Sequence, residues 1–103
     1  MAEFVKVATV DELQPGMRKV VDVDGILVAV FNVGGHFYAI EDVCTHDDGP
    51  LAEGELDGYV IECPRHGAQF DIRDGQVLRF PAVVPVRTFE VKVEDGDVLV
   101  RAE

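Results

Sequence analysis

Gly25-Ile26-Leu27-Val28-Ala29-Val30-Phe31-Asn32-Val33-Gly34-Gly35-His36-Phe37-Tyr38-Ala39-Ile40 sets a β-rich run, a pair of glycines and a second β-rich run in immediate succession. Branched and aromatic side chains suit a pleated surface, and paired glycines accept the positive φ angles of a tight turn, so this stretch predicts an antiparallel hairpin. The same signals recur outward from it. Val5, Val7 and Val10 open the chain; Tyr59-Val60-Ile61-Glu62 and Gln69-Phe70-Asp71-Ile72 form a later pair, closed by the turn Asp74-Gly75. Thr88-Phe89-Glu90-Val91-Lys92-Val93 alternates cleanly, Asp95-Gly96-Asp97 turns, and Val98-Leu99-Val100 returns. Only Val10-Asp11-Glu12-Leu13 reads as helical, with Asp11 capping a single turn before Pro15-Gly16 stops it. The fold class expected is all-β, and 103 residues make one domain with a modest core.

Between the second β-rich run and the later pair lie the residues that carry chemistry. Cys44-Thr45-His46 and Cys63-Pro64-Arg65-His66 hold both cysteines and two of the three histidines. The pattern is C-x-H, then 16 residues, then C-x-x-H, so each block offers one thiolate and one imidazole to a common point. Asp48-Gly49-Pro50 follows the first block and Gly67 follows the second. Glycine lets the backbone turn sharply and approach an inorganic group without a Cβ in the way, which predicts two matched ligand loops.

These blocks, with Gly49-Pro50-Leu51 and Gly67-Ala68-Gln69-Phe70-Asp71 beyond them, resemble the Rieske iron–sulfur proteins. In that family two such loops clamp one [2Fe–2S] cluster, cysteines on one iron and histidines on the other. The resemblance implies that Cys44 and Cys63 hold the inner iron, and that His46 and His66 hold the outer one, exposed at the loop tips. It implies a Rieske fold for residues 1–103: an antiparallel β-barrel or sandwich built from both ends of the chain, with a small cluster-binding subdomain inserted at about residues 42–80. The cysteines are then expected at the approaches to neighbouring strands. Structural zinc needs the same ligand types and stands as the rival, although zinc knuckles usually place two like ligands in each knuckle.

The resemblance also sets limits on function. Rieske oxygenases add a mononuclear iron held by two histidines and a carboxylate, and beyond the two blocks this chain has only His36, which reads as a turn residue. No catalytic residue is expected. The implied role is a one-electron carrier, a ferredoxin passing electrons from a ferredoxin reductase to a terminal oxygenase. A small Rieske-like subunit of a nitrite reductase is the alternative, and a zinc-stabilised interaction module is the alternative from another class.

Twenty acidic against nine basic residues give a formal charge of -11. That charge repels phosphate backbones and anionic lipid headgroups, so neither nucleic acid nor a membrane is expected as a partner. It suits transient docking on a basic protein patch. The N-terminus shows no secretion signal and no run is long enough to span a bilayer, so a cytoplasmic monomer is the expectation.

Ligand charge predicts where in the family's range the potential lies. Four thiolates leave an oxidised two-iron, two-sulfide unit formally dianionic, whereas two thiolates with two neutral imidazoles leave it neutral and easier to reduce. The potential therefore rises from about −400 mV for plant-type clusters to roughly −150 to +300 mV. High-potential relatives carry a serine and a tyrosine at the positions of Ala68 and Phe70, whose hydroxyls bond to the cluster sulfurs. Both are missing, which predicts a value near the low end, about −150 mV. Those relatives also tie their loops with a disulfide, for which this chain has no cysteines. Its loops are expected to hold by packing and backbone bonds alone. Arg65 reads as a cation favouring the reduced state, as a partner contact or as an exposed spacer, and Asp47 and Asp48 read as part of an acidic docking face or as a solvated loop.

Overall fold

The hairpin forms as its sequence dictates: β3 (Ile26–Val33) and β4 (His36–Glu41) pair antiparallel from Val28↔Glu41 to Val33↔His36. Gly34 and Gly35 turn between them at φ 61° and 92°. In the computed structural model, which describes residues 3–102, this hairpin lies at the centre of the fold. The other strands are β1 (Val5–Thr9), β2 (Arg18–Val23), β5 (Leu56–Asp57), β6 (Val60–Glu62), β7 (Gln69–Asp71), β8 (Val77–Arg79), β9 (Thr88–Glu94) and β10 (Asp97–Arg101).

A six-stranded antiparallel sheet runs in the order β1-β10-β9-β4-β3-β2. Both ends of the chain contribute to it. The sheet curls into an open barrel, and Lys19 of the β2 edge donates to the Val7 carbonyl of the β1 edge at 3.0 Å. A four-stranded sheet, β5-β6-β7-β8, comes from the chain between β4 and β9.

The β3–β4 hairpin separates two hydrophobic cores, which explains why its first strand is apolar almost throughout. Val28 and Val30 join Val7, Leu13, Val23, Phe89, Val98 and Val100 inside the barrel. Their neighbours Ala29 and Phe31 point the other way and pack with Ile61, Phe70, Ile72 and both cysteines. Ala39 and Ile40 of β4 divide in the same manner. Each large side chain buried here contributes about 1.5–3 kcal/mol, so the barrel and the smaller sheet share one wall and stabilise each other through it.

Two expectations need correction. Residues 10–13 form a turn, and no helix occurs among the described residues. Its cap is Thr9 rather than Asp11: Glu12 N–H donates to Thr9 Oγ1 at 3.2 Å, and Thr9 N–H donates to Glu12 Oε1 at 2.9 Å. This reciprocal capping arrangement holds one turn, which Pro15 keeps from lengthening. The cysteines, moreover, do not approach neighbouring strands. Cys44 follows β4 of the larger sheet and Cys63 follows β6 of the smaller one.

Candidate metal centre

Two loops face each other where the sheets meet, and their backbones follow one plan. In the first, Cys44 N–H donates to the Gly49 carbonyl at 2.7 Å, and the Cys44 carbonyl accepts from Asp48 N–H at 2.7 Å. In the second, Cys63 N–H donates to the Ala68 carbonyl at 2.7 Å, and the Cys63 carbonyl accepts from Gly67 N–H at 3.0 Å. The residue four places after each cysteine has left-handed backbone: Asp48 at φ 62°, Gly67 at φ 77°. Glycine tolerates this freely and aspartate is among the few other residues that do. The matched loops expected from the sequence are therefore present, but Asp48, not Gly49, makes the turn in the first.

The loops divide their donors by depth. Cys44 and Cys63 are 0% and 1% exposed, unpaired, and at the floor. Burial pushes the Cys44 thiol above its ordinary pKa, and the His46 and Asp47 amides, which donate toward the sulfur, oppose that rise. His46 and His66 stand at the rim, exposed, with ring centroids 5.2 Å apart and planes at 88°. His36 lies elsewhere, exposed at the start of β4.

The loops are also joined by side chains, which corrects the expectation of packing and backbone bonds alone. Arg65 Nε and Nη2 donate to the two oxygens of Asp47 at 2.6 and 3.0 Å, and Nη1 donates to the Pro50 carbonyl at 3.0 Å. The guanidinium, and next the Gly49 amide, hold the Asp47 carboxyl well below the usual carboxylate range. Asp47 is thus bound to the opposite loop while remaining an exposed residue. Nothing in the sequence pairs it with Arg65 across 18 positions; only the facing loops do.

One wall adds apolar surface. Thr45 Oγ1 donates to the Val84 carbonyl at 2.6 Å, which sets the 80–85 segment beside the first loop. Phe80 and Val83 on that segment are 76% and 72% exposed.

The donor set bears on whether one ion or two would fit. Cys44 Sγ, Cys63 Sγ and an Asp47 oxygen lie within 4.8 Å of one another, and the imidazole nitrogens stand outside that group. A tetrahedral zinc with bonds of 2.0 to 2.3 Å would need all four ligand atoms within about 4 Å of one another. Asp47 is no substitute ligand, since Arg65 and the Gly49 amide occupy its oxygens. Two thiols at the floor and two imidazoles set apart at the rim fit a two-iron unit, with sulfur donors on one iron and nitrogen donors on the other.

Comparison with known proteins agrees. The Rieske [2Fe-2S] domain family matches residues 3–90. Ferredoxin CarAc of Metapseudomonas resinovorans is 46% identical over 101 residues, spanning 97% of this chain and 94% of that protein. The ferredoxin of carbazole 1,9a-dioxygenase from Nocardioides aromaticivorans IC177 superposes with a TM-score of 0.93 at 39% identity, covering 97% of this chain and 98% of the other. A solved complex of reduced oxygenase and oxidised ferredoxin in carbazole 1,9a-dioxygenase contains a chain with a TM-score of 0.90 and 44% identity, over 95% of this chain and 92% of that one.

Proposed function

This chain belongs to the Rieske [2Fe-2S] domain family, and from that premise we propose that it is a ferredoxin in which Cys44 and Cys63 hold the buried iron and His46 and His66 the outer one. It is an electron carrier of a multicomponent dioxygenase and not itself a catalyst. When bound, the cluster takes up and returns a single electron. Residues 1–103 act as one unit, with about 42–80 as its cluster-binding part. A ferredoxin reductase supplies the electron, a terminal oxygenase receives it, and the carrier works as a cytoplasmic monomer. Among the described residues no helix is long and apolar enough to cross a membrane.

The carrying observation is the depth division of the four donors. The buried thiols would shield an iron held there from water, and the exposed imidazoles would hold theirs near the surface, within reach of a docked partner. Phe80 and Val83 give that rim an apolar edge, so docking there excludes water. Ala68 and Phe70 are both fully buried beside Cys63 and offer the sulfurs no hydroxyl, which favours a low potential.

Potentiometry combined with EPR of the reduced, anaerobically reconstituted protein tests this reading. The expected result is a brown protein with a midpoint of about −150 mV and a spectrum of mixed sulfur and nitrogen ligation. Ala68→Ser should raise the midpoint by adding a donor toward the sulfurs. A colourless protein, or one holding a single zinc, overturns the assignment.

A further inference from the structure

His46 is followed by Asp47, and His66 is preceded by Arg65, so each imidazole is one peptide bond from one half of the ion pair that crosses between the loops. Resting on the ligand assignment above, we propose that Arg65 and Asp47 are positioning residues, forming a side-chain clasp that holds the two loops at the separation required for both imidazoles to reach one cluster.

The shared loop plan shows how the parts are distributed. Counting from each cysteine, the second and third positions are His46 and Asp47 in one loop, and Arg65 and His66 in the other. Each loop contributes one ligand and one half of the clasp, in opposite order. Across the gap, ring then faces ring and cation faces anion, and His66 Nε2 also stands 3.7 Å from Asp47 Oδ2.

Exposed ion pairs between mobile side chains contribute little. This pair differs in three respects. It is bidentate, and the planar fork fixes angle as well as distance. Its side chains are only 32% and 21% exposed. Both halves are anchored beyond each other: the Gly49 amide donates to Asp47 Oδ1 at 3.0 Å, and Arg65 reaches on to the Pro50 carbonyl.

Gly49 supplies the third part. A Cβ there would stand 2.4 Å from Arg65 Cζ and 2.5 Å from Nη2, so the guanidinium lies flat against the Gly49 backbone. This accounts for glycine at a position where the backbone has no left-handed angle to accommodate. One arginine therefore grips the carboxylate, the face of Gly49 and the carbonyl of Pro50, across the opposite loop's exit.

The clasp is neutral as a pair, so its geometric and electrostatic contributions separate by substitution. Arg65→Lys keeps the charge but loses the fork. Arg65→Gln removes the cation and leaves Asp47 uncompensated, which disfavours the added electron. Asp47→Asn leaves Arg65 uncompensated and favours it. Gly49→Ala changes no charge and displaces the guanidinium.

The test uses the reconstituted holoprotein, following cluster loss by visible absorbance under chelator, together with midpoint potential and EPR. Arg65→Lys and Gly49→Ala should each lose cluster about tenfold faster than the parent, with a broadened spread of g-values and an unmoved midpoint. Arg65→Gln and Asp47→Asn should lose cluster equally fast while their midpoints move in opposite directions, down and up. Gly49→Ala introduced into Arg65→Gln should add nothing, because the group it displaces is already gone. Equal effects of Gly49→Ala in both backgrounds, or unchanged cluster loss in Arg65→Gln, overturn the clasp. A parent protein that binds no cluster overturns the ligand assignment instead, so the two failures are distinguishable.

Discussion

The two loops that carry the candidate ligands share a backbone plan but are supported differently. Residues 63–68 are the tip of a hairpin: β6 enters, β7 leaves, and Glu62↔Gln69 closes the ladder beneath them. Residues 44–49 leave β4 and run into irregular chain before β5, with no ladder on their far side. Side chains replace it. Asp42 Oδ1 accepts from Leu51 N–H at 2.9 Å and Ala52 N–H at 2.7 Å, Thr45 bonds to Val84, and Arg65 reaches across from the other loop. The same loop shape can thus rest on a sheet or on a handful of polar side chains. The second kind of support is sensitive to single substitutions that the first tolerates.

The largest expected effect lies under the hairpin loop. Phe70 on β7 is fully buried between the smaller sheet and Phe31 of the shared wall. Phe70→Ala should cost about 3–5 kcal/mol in urea unfolding and should release the cluster. A loss under 1 kcal/mol would show that the ladder alone carries that loop.

Next comes the side-chain support of the other loop. Asp42→Ala leaves the amides of two buried residues, Leu51 and Ala52, without their acceptor. The expected cost is about 1–3 kcal/mol, with hydrogen exchange rising at residues 44–52 and not at 63–68. Equal rises in both loops would erase the distinction drawn here.

The left-handed positions differ between the loops in the same way. Gly67→Ala forces a Cβ into φ 77°, at a cost of about 1–2 kcal/mol. Asp48→Gly relieves the equivalent strain but frees the unfolded chain, so it should change stability by less than about 1 kcal/mol. Unfolding midpoints of the two variants check the asymmetry.

The smallest effect concerns pH. Arg73 bonds to Asp71 on the hairpin side and, against the opposing influence of burial, holds its carboxyl below the ordinary value. Because the folded pKa is the lower one, this contribution is complete above the unfolded value of about 3.9. It is lost as pH falls through the depressed folded value. Asp71→Asn should therefore lower stability at neutral pH, where the contribution is complete, and converge with the parent below the depressed folded value, which flattens the acid limb of a stability-against-pH curve. An unchanged acid limb would assign that limb to other carboxylates.

Much of the fold could be read from local pattern. The β3–β4 and β9–β10 hairpins follow from alternating or branched runs broken by glycine turns, because strand and turn chemistry act over a few residues. Strands β2, β5 and β8 could not be read so. The last two are three residues or fewer, and β2 begins with Arg18 and Lys19, whose place in the sheet depends on partners elsewhere. Arg18 illustrates this: its Nη1 donates to the Ala52 carbonyl at 2.8 Å, joining the barrel to residues 34 positions away.

The site divides along the same line. Cys44, His46, Cys63 and His66 stand out in the sequence because their chemistry is rare and their spacing repeats. Arg65 and Asp47 do not, because charged residues are common and a pair 18 positions apart has no local signature.

Residue type and spacing, then, were enough to single out the four candidate donors and to determine the all-β class and the matched loops, since each depends on chemistry carried within a few residues. Which loop rests on strands and which on side chains, how the hairpin divides two cores, and which charges meet across the gap were decided only when distant segments packed. Those contacts gain their energy from burial and proximity, and neither exists until the chain has folded.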